Sequence, residues 1–193
     1  AVSRKKRENA TNLISCDVVN ALDLSIYEDN QFDVIILFGP LYHLLEESER
    51  KQCLRECNRV LKTGGKIFAS FIPHLSGSIA ILDRYFRDPS QVDVNNLQTV
   101  FESGKFTNNN NVGFQEGYYP SLNEIIALFS ECGFTKNAIK SIRGFGYERE
   151  EEIYKLPEDM KKEVFSLIDK TCEDKSIIEM CGHAMYIGEK NGR

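Results

Sequence analysis

Two short apolar runs flank an amphipathic segment in the first half of the chain. Residues 32–38 read FDVIILF, which is almost wholly apolar and rich in branched side chains. A strand without polar alternation is typical of the middle of a parallel sheet, where both faces are buried. Gly39-Pro40 stops this run, and residues 66–72 (KIFASFI) predict a second buried strand.

The segment between the two runs predicts an amphipathic helix over residues 46–62. Its apolar positions follow one another at helical spacing along one stripe: Cys53, Leu54, Cys57, Val60 and Leu61. Acids lie at its start and basic residues at its end, as the helix dipole favours, and Gly64-Gly65 predicts a left-handed exit from the helix. Strand, helix and strand at these lengths indicate a right-handed βαβ unit.

From residue 73 the pattern changes to two helices (75–86 and 92–102) and a hairpin or loop (106–119), which we interpret as an insertion over the strand ends. A helix over 121–132 follows, with Ser121 and Glu124 as a capping box. Further predictions are a strand at 135–143, a helix at 157–171 and a strand at 183–187.

Before the first apolar run, residues 3–8 predict the end of a helix and residues 13–19 are β-prone. The predicted division is 1–72, 73–120 and 121–193.

Composition narrows the classes of protein. Of 193 residues, 41% are hydrophobic and 27% charged, as in an ordinary globular domain. No apolar run approaches the roughly 18 residues that span a bilayer, and the basic N-terminus lacks the apolar core of a signal peptide. A net charge of -5 argues against non-specific nucleic-acid binding. We therefore expect a cytoplasmic protein that binds neither nucleic acid nor membranes.

The six cysteines are scattered and form no CxxC pair. We interpret them as reduced thiols that mostly fill the core. Cys53 and Cys57 share a helix face, but no partnering His or Cys pair accompanies them, so no metal site is predicted.

Four phrases, in order, carry a resemblance: FDVIILFGPLYHL, RVLKTGGKI one helix later, ECGF at residues 131–134, and AMYIGEK at 184–190. They resemble the motifs that follow the cofactor loop in class I S-adenosylmethionine (SAM)-dependent methyltransferases, and FGPLYHL is similar to a subgroup of bacterial small-molecule enzymes. The resemblance implies a Rossmann-like three-layer α/β sandwich with a helical or hairpin lid. It also implies SAM as the cofactor and a small molecule as the methyl acceptor.

The resemblance also assigns cofactor-binding positions. Asn20, Ala21 and Leu22 occupy the adenine position, where the family commonly has an Asp followed by a small residue. An amide oxygen still accepts a hydrogen bond, without the charge of a carboxylate; alternatively, Asn20 is a polar residue that ends a strand. Phe38, Gly39 and Leu41 match the strand end beneath the methionine part of the cofactor. Gly39 permits close backbone approach, or is simply a turn.

Tyr42 and His43 match the positions that face the methyl group and the acceptor, so they are the catalytic candidates; a structural role for His43 stays open. His74 follows the second strand, and with Tyr118 and Tyr119 it is a substrate-site candidate, although loop tyrosines can also be merely exposed. His183 begins a predicted strand and is interpreted as structural.

The family's glycine-rich cofactor loop should precede Asn20, and this chain has none there. The leading hypothesis is an N-terminally incomplete methyltransferase, inactive in this form if cofactor binding fails. The second is a non-catalytic interaction module that pairs with another chain, including a homo-oligomer, through an exposed sheet edge. A third is another α/β enzyme, although the absence of GxGxxG and GxxxxGK[ST] disfavours dehydrogenases and nucleoside triphosphatases.

Overall fold

The computed structural model describes residues 12–91, 93–108 and 116–192. Within them the chain is a mixed α/β structure with a four-stranded sheet and a separate two-stranded hairpin. The helix predicted at residues 3–8 and its basic run lie outside the described residues.

The predicted βαβ unit is present and forms one side of the sheet. Its elements are strand β1 at Phe32–Leu37, the one-turn helix α1 at Pro40–His43, helix α2 at Glu47–Val60 and strand β2 at Leu61–Phe71. β1 and β2 pair in parallel, with Ile35 beside Ile67 and Leu37 beside Ala69. The carboxyl ends of both strands therefore lie at the same edge.

The junction of α2 and β2 differs from the prediction. The helix ends at Val60, and Leu61 already pairs with Phe32 on β1. The next pair joins Val34 to Lys66, so the residues between Leu61 and Lys66 form an irregularity within β2. Gly64 has φ 75° there, a conformation that glycine adopts without strain. The two glycines therefore lie in a bulge within the strand and do not form the end of the helix.

Two later strands complete the sheet: β5 at Phe134–Ser141 and β6 at Ala184–Lys190. The order is β1-β2-β6-β5, and β6 is antiparallel to both of its neighbours. β5 therefore runs in the same direction as β1 and β2. The strands predicted at 135–143 and 183–187 are confirmed with shifted ends, and the last strand of the chain lies inside the sheet.

Helix α5, at Leu122–Glu131, packs with α2 over one face of this sheet. Ser121 and Glu124 form the predicted capping box. The Phe129 ring stacks on Tyr186 of β6 with centroids 3.7 Å apart. Cys53 and Cys57 of α2 are buried in the same core, so their apolar role is confirmed.

All six cysteines are free thiols, five of them buried and Cys16 exposed. Within the described part of the chain, no three His, Cys, Asp or Glu side chains are grouped so that they could hold a metal ion.

The segment after β2 has its own small core. It comprises helix α3 at His74–Arg87, a 3-10 turn at Pro89–Gln91, helix α4 at Val94–Ser103, and the antiparallel strands β3 at Lys105–Thr107 and β4 at Glu116–Tyr118. Ile81, Val100, Phe106 and Tyr119 pack together, apart from the main core. The predicted helices and hairpin are confirmed, whereas the role of this insertion as a lid stays a prediction.

The C-terminal part adds helices around the end of β5. They are a 3-10 turn at Gly144–Gly146, α6 at Glu150–Lys155, α7 at Glu158–Thr171 and α8 at Lys175–Met180. α7 corresponds to the helix predicted at 157–171. Among the described residues, no helix combines the length and apolarity needed to cross a membrane.

Two predictions about the N-terminal part are wrong. Residues 13–19 form no strand, and Ile14 and Val18 are 91% and 104% exposed; in the described structure no neighbouring strand offers them a hydrogen-bonding ladder. The other concerns β1, which was expected to be buried on both faces. Val34 and Ile36 are 50% and 66% exposed, because β1 is an edge strand and α2 and α5 cover only its opposite face.

Candidate functional site

Four strand ends meet at one edge of the sheet. Phe71, at the end of β2, pairs with Ala184 at the start of β6. Ser141, at the end of β5, pairs with the same Ala184. The segments that follow β1, β2 and β5 and the one that precedes β6 therefore collect there, which is where ligands of open α/β sheets bind.

A cavity of about 410 Å³ opens at this edge, between the strand ends and α3. Its volume lies within the range of small-molecule sites, roughly 300–1,000 Å³. The wall combines aromatic rings, small side chains of α3 and two arginines: Tyr42, His43, Ile72, Ser76, Gly77, Ala80, Arg84, Tyr119, Arg143, Tyr147, Gly182 and His183.

The two catalytic candidates of the sequence, Tyr42 and His43, both reach this cavity. They lie on α1, which follows the carboxyl end of β1 after Gly39 and has Pro40 as its first residue. Their rings are 4.8 Å apart, and His43 is exposed whereas Tyr42 is half-buried.

Arg50 of α2 holds the end of α1 in place. Its side chain is 5% exposed, and Nη1 donates hydrogen bonds to the carbonyl oxygens of Leu44 at 2.7 Å and Leu45 at 2.8 Å. The guanidinium lies 3.6 Å above the centre of the Tyr118 ring. A buried charge bonded in this way fixes the segment that directly follows Tyr42 and His43.

His183 belongs to the cavity, although the sequence pattern assigned it a structural role. It lies immediately before β6, and its ring meets that of Tyr42 edge to face at 5.5 Å. Burial lowers the pKa of His183 from its ordinary value of 6.5, and the charge of Arg143 lowers it further. A neutral imidazole at neutral pH can accept a proton. Only the antiparallel register of β6 brings it here, so no local sequence signal identifies it.

Tyr119 is the substrate candidate that lines the cavity. Its ring packs closely against Gly77 of α3, because a Cβ added at Gly77 would be 2.3 Å from Tyr119 Cγ. Burial raises the pKa of Tyr119 to about 12, so the hydroxyl stays protonated at neutral pH.

His74 and Tyr118 are not brought into the cavity. The ring nitrogens of His74 lie 3.2 Å from the carbonyl oxygen of Tyr119 and 3.1 Å from that of Phe101, so this side chain ties the start of α3 to α4 and to the end of the hairpin. Tyr118 donates a hydrogen bond to Glu124 Oε1 at 2.9 Å, beneath Arg50.

The predicted adenine position is a tight turn beside α2. Asn20 Oδ1 accepts a hydrogen bond from the Leu22 N–H at 3.0 Å, and Gln52 donates to the Leu22 carbonyl at 3.3 Å. Ala21 and Leu22 are half-buried against the main core.

The residues after β1 combine a buried anchor with an exposed aromatic ring. Leu41 is 1% exposed and anchors α1, while the Phe38 side chain is 55% exposed. Gly39 has φ 122°, a conformation that other residues rarely adopt.

In sequence, residues 1–69 match the family model described as "Methyltransferase domain". A comparison with the curated proteins gives no match.

In structure, the chain is similar to proteins described as methyltransferases, the first two below as SAM-dependent. One from Methanosarcina mazei has TM-score 0.59 at 16% identity, covering 98% of this chain and 76% of its own. One from Listeria monocytogenes has TM-score 0.63 at 14% identity, covering 99% and 75%. A Haloferax volcanii methyltransferase, solved in complex with the Trm112 methyltransferase activator, has TM-score 0.55 at 14% identity, covering 100% and 68%.

At such identities these likenesses establish the fold, and the match over residues 1–69 adds an independent link in sequence. The resemblance predicted from the four phrases is therefore confirmed: this chain has the class I methyltransferase fold and resembles the SAM-dependent methyltransferases, whose shared cofactor is SAM.

Proposed function

We propose that the protein transfers a methyl group from SAM to a small molecule bound in the cavity at the strand ends. The observation that carries this proposal is the position of the cavity. It opens at the carboxyl ends of β1 and β2, and Tyr42 and His43, which follow the predicted methionine-side residues, form part of its wall.

The residues that would hold the cofactor are those of the Asn20 turn and of the end of β1. The fit is chemical: the exposed Phe38 ring offers an apolar surface, and glycine at position 39 leaves the backbone bare beside it. The Asn20 side-chain oxygen, Oδ1, has a second lone pair beyond the hydrogen bond that it accepts from Leu22. SAM supplies an electrophilic methyl group on a sulfonium.

The protein's own contribution is largely alignment. Holding an acceptor in line with a donor can supply several kcal/mol of the barrier, up to about 7–11 kcal/mol. The rings of Tyr42, Tyr119 and Tyr147 give the cavity rigid walls against which an acceptor is oriented.

His183 takes the acceptor's proton where the atom to be methylated carries one. Its ring nitrogens hold no hydrogen bond to other side chains of the described structure, its ring faces Tyr42, and the fold keeps it neutral. His43, exposed at the rim, is the second candidate for this role.

The experiment is a titration of the chain with S-adenosylhomocysteine by isothermal calorimetry, followed by transfer of radiolabelled methyl to a small-molecule library. The Asn20→Asp variant should bind S-adenosylhomocysteine about tenfold more tightly than wild type, because a carboxylate accepts a stronger hydrogen bond and still forms the local turn. Asn20→Leu should bind about tenfold more weakly. Absence of saturable heat in wild type and both variants would exclude a functional cofactor site in this chain.

The second candidate function is a non-catalytic module that pairs with a second copy of the chain. The exposed edge and face of β1, with Val34 and Ile36, favour it, because unpaired edge strands readily add another strand. The H. volcanii methyltransferase, for its part, was solved with an activator protein.

Sedimentation velocity at micromolar concentration tests this candidate. A dimer that Ile36→Glu dissociates, and that Met160→Glu on the exposed face of α7 leaves intact, would support pairing through β1. A monomer at that concentration would count against it.

A further inference from the structure

Two positively charged side chains line the cavity of a protein whose net charge is negative. The chain as a whole has net charge -5, yet the cavity wall, which consists of described residues, contains Arg84 and Arg143 and neither Asp nor Glu. Since a guanidinium stays protonated at any working pH, this charge is permanent. A cleft lined by one sign of charge concentrates ligands of the other sign.

Arg84 enters the wall from α3, two turns after Gly77 and Ser76 on the same helix face. Its guanidinium lies 5.6 Å from the centre of the Phe106 ring, and its charge reaches the Tyr119 hydroxyl and opposes the rise of the Tyr119 pKa. In the described structure no carboxylate forms an ion pair with Arg84. Its donors are therefore available to a ligand.

Arg143 enters the wall from a different element, just beyond the end of β5. Nε lies 3.2 Å from Glu150 Oε1, and the guanidinium is 5.2 Å from the centre of the Tyr147 ring. The Glu150 contact uses Nε and leaves the two terminal nitrogens without a side-chain partner in the described structure. Because Glu150 lies on the Nε side of the guanidinium, the terminal nitrogens face away from that carboxylate and can bind an anion.

We propose that the acceptor is a small aromatic acid, whose anionic group is bound by Arg84 and Arg143 and whose ring packs among Tyr42, Tyr119 and Tyr147. The role of this acid as methyl acceptor rests on the proposed function, but its binding in the cavity does not depend on that function. The three tyrosines supply flat apolar surfaces suited to a ring, and guanidiniums are the side chains best matched to carboxylates. None of these residues belongs to the Asn20 turn or to α2, so the anion is not placed at the predicted adenine side.

The test is calorimetric titration of the full chain with 4-hydroxybenzoate and with its uncharged match 4-hydroxybenzamide, without cofactor. The acid should bind at least about tenfold more tightly than the amide, the difference expected for charge-assisted hydrogen bonds. Arg84→Gln and Arg143→Gln should each weaken the binding of the acid by about tenfold or more and leave the binding of the amide unchanged. Arg87→Gln is the matched control, since Arg87 lies on the same helix, exposed and outside the cavity.

Equal binding of acid and amide, loss of binding in Arg87→Gln alone, or no saturable heat with 4-hydroxybenzoate overturns the proposal. Circular dichroism melts confirm that each variant is folded. Competition by free methionine would assign the two arginines to the amino-acid end of the cofactor and overturn the acceptor role. Because the S-adenosylhomocysteine titration is separate, failure of the proposed methyltransferase function is distinguishable from failure of anion binding.

Discussion

At the scale of single residues, the surroundings of His183 control its charge. Burial lowers the pKa of this side chain from 6.5, and the positive charge of Arg143 lowers it further. The folded protein therefore binds the proton of His183 less readily than the unfolded chain. As pH falls through about 6.5, the unfolded state gains this proton first, so stability present at higher pH is lost toward lower pH.

We expect His183→Gln to flatten the acid side of the stability profile. Wild-type Tm should fall on going from about pH 7 to about pH 5 by more than the Tm of the variant, because the variant has no such proton to bind. Thermal melts followed by circular dichroism measure this. Parallel curves for the two proteins would contradict it.

A second residue-scale prediction concerns the contact between Gly77 and Tyr119. An alanine methyl at 77 would lie 2.3 Å from Tyr119 Cγ, so α3 or the ring must move. We expect Gly77→Ala to lower the free energy of unfolding by about 1–3 kcal/mol. Gly192→Ala is the control, since its Cβ would meet only Thr63 Cγ2 at 3.4 Å. A Gly77→Ala variant as stable as wild type would contradict this prediction and show that the cavity wall can adjust to the added methyl group.

At the scale of elements, the attachment of α1 to α2 depends on Arg50. Arg50→Met removes the hydrogen bonds to Leu44 and Leu45 but retains much of the side-chain volume. We expect a loss of about 3 kcal/mol, as for two charge-assisted hydrogen bonds in a buried setting. Urea unfolding provides the measurement.

Arg55→Gln, on the exposed side of the same helix, should change stability by no more than about 0.5 kcal/mol. A similar loss in both variants would mean that helix charge, and not the bond to the α1 end, is what matters.

The elements also show what local pattern can and cannot predict. α2 and the capping box at Ser121 were predictable because helix periodicity and helix caps depend on residues that are close together in sequence. The apolar run of β1 predicted a strand correctly but not its exposure, because burial depends on which elements cover it. The glycines at 64 and 65 were assigned to the wrong feature, since a left-handed glycine suits a helix end and a strand bulge equally.

At the scale of the whole molecule, the sheet depends on β6. That strand pairs with β2 on one side and β5 on the other, so a chain ending at Gly182 would leave both without a shared neighbour. We expect such a truncation to abolish cooperative thermal unfolding. A chain ending at Lys190, which loses the Asn191 bond to the Gly133 carbonyl, should remain cooperative. A cooperative melt for the shorter chain would contradict the central role of β6.

The same topology explains which site residues the sequence could indicate. Tyr42 and His43 directly follow a recognisable strand end, and Tyr119 follows the hairpin, so their placement in the cavity needed few assumptions. Arg84, Arg143 and His183 come from three distant parts of the chain. They meet because β6 inserts antiparallel between β2 and β5, a pairing that depends on the tertiary structure and has no signature in adjacent residues.

The central position of the last strand has a consequence for biosynthesis. There is an interval of translation in which β2 and β5 have emerged from the ribosome, but β6, the strand that joins them, has not. Both offer open hydrogen-bonding edges during that interval, and such edges recruit other chains. The nascent protein is therefore most prone to aggregate before residues 184–190 have emerged, and slowing translation upstream of residue 184 should raise its demand for chaperones.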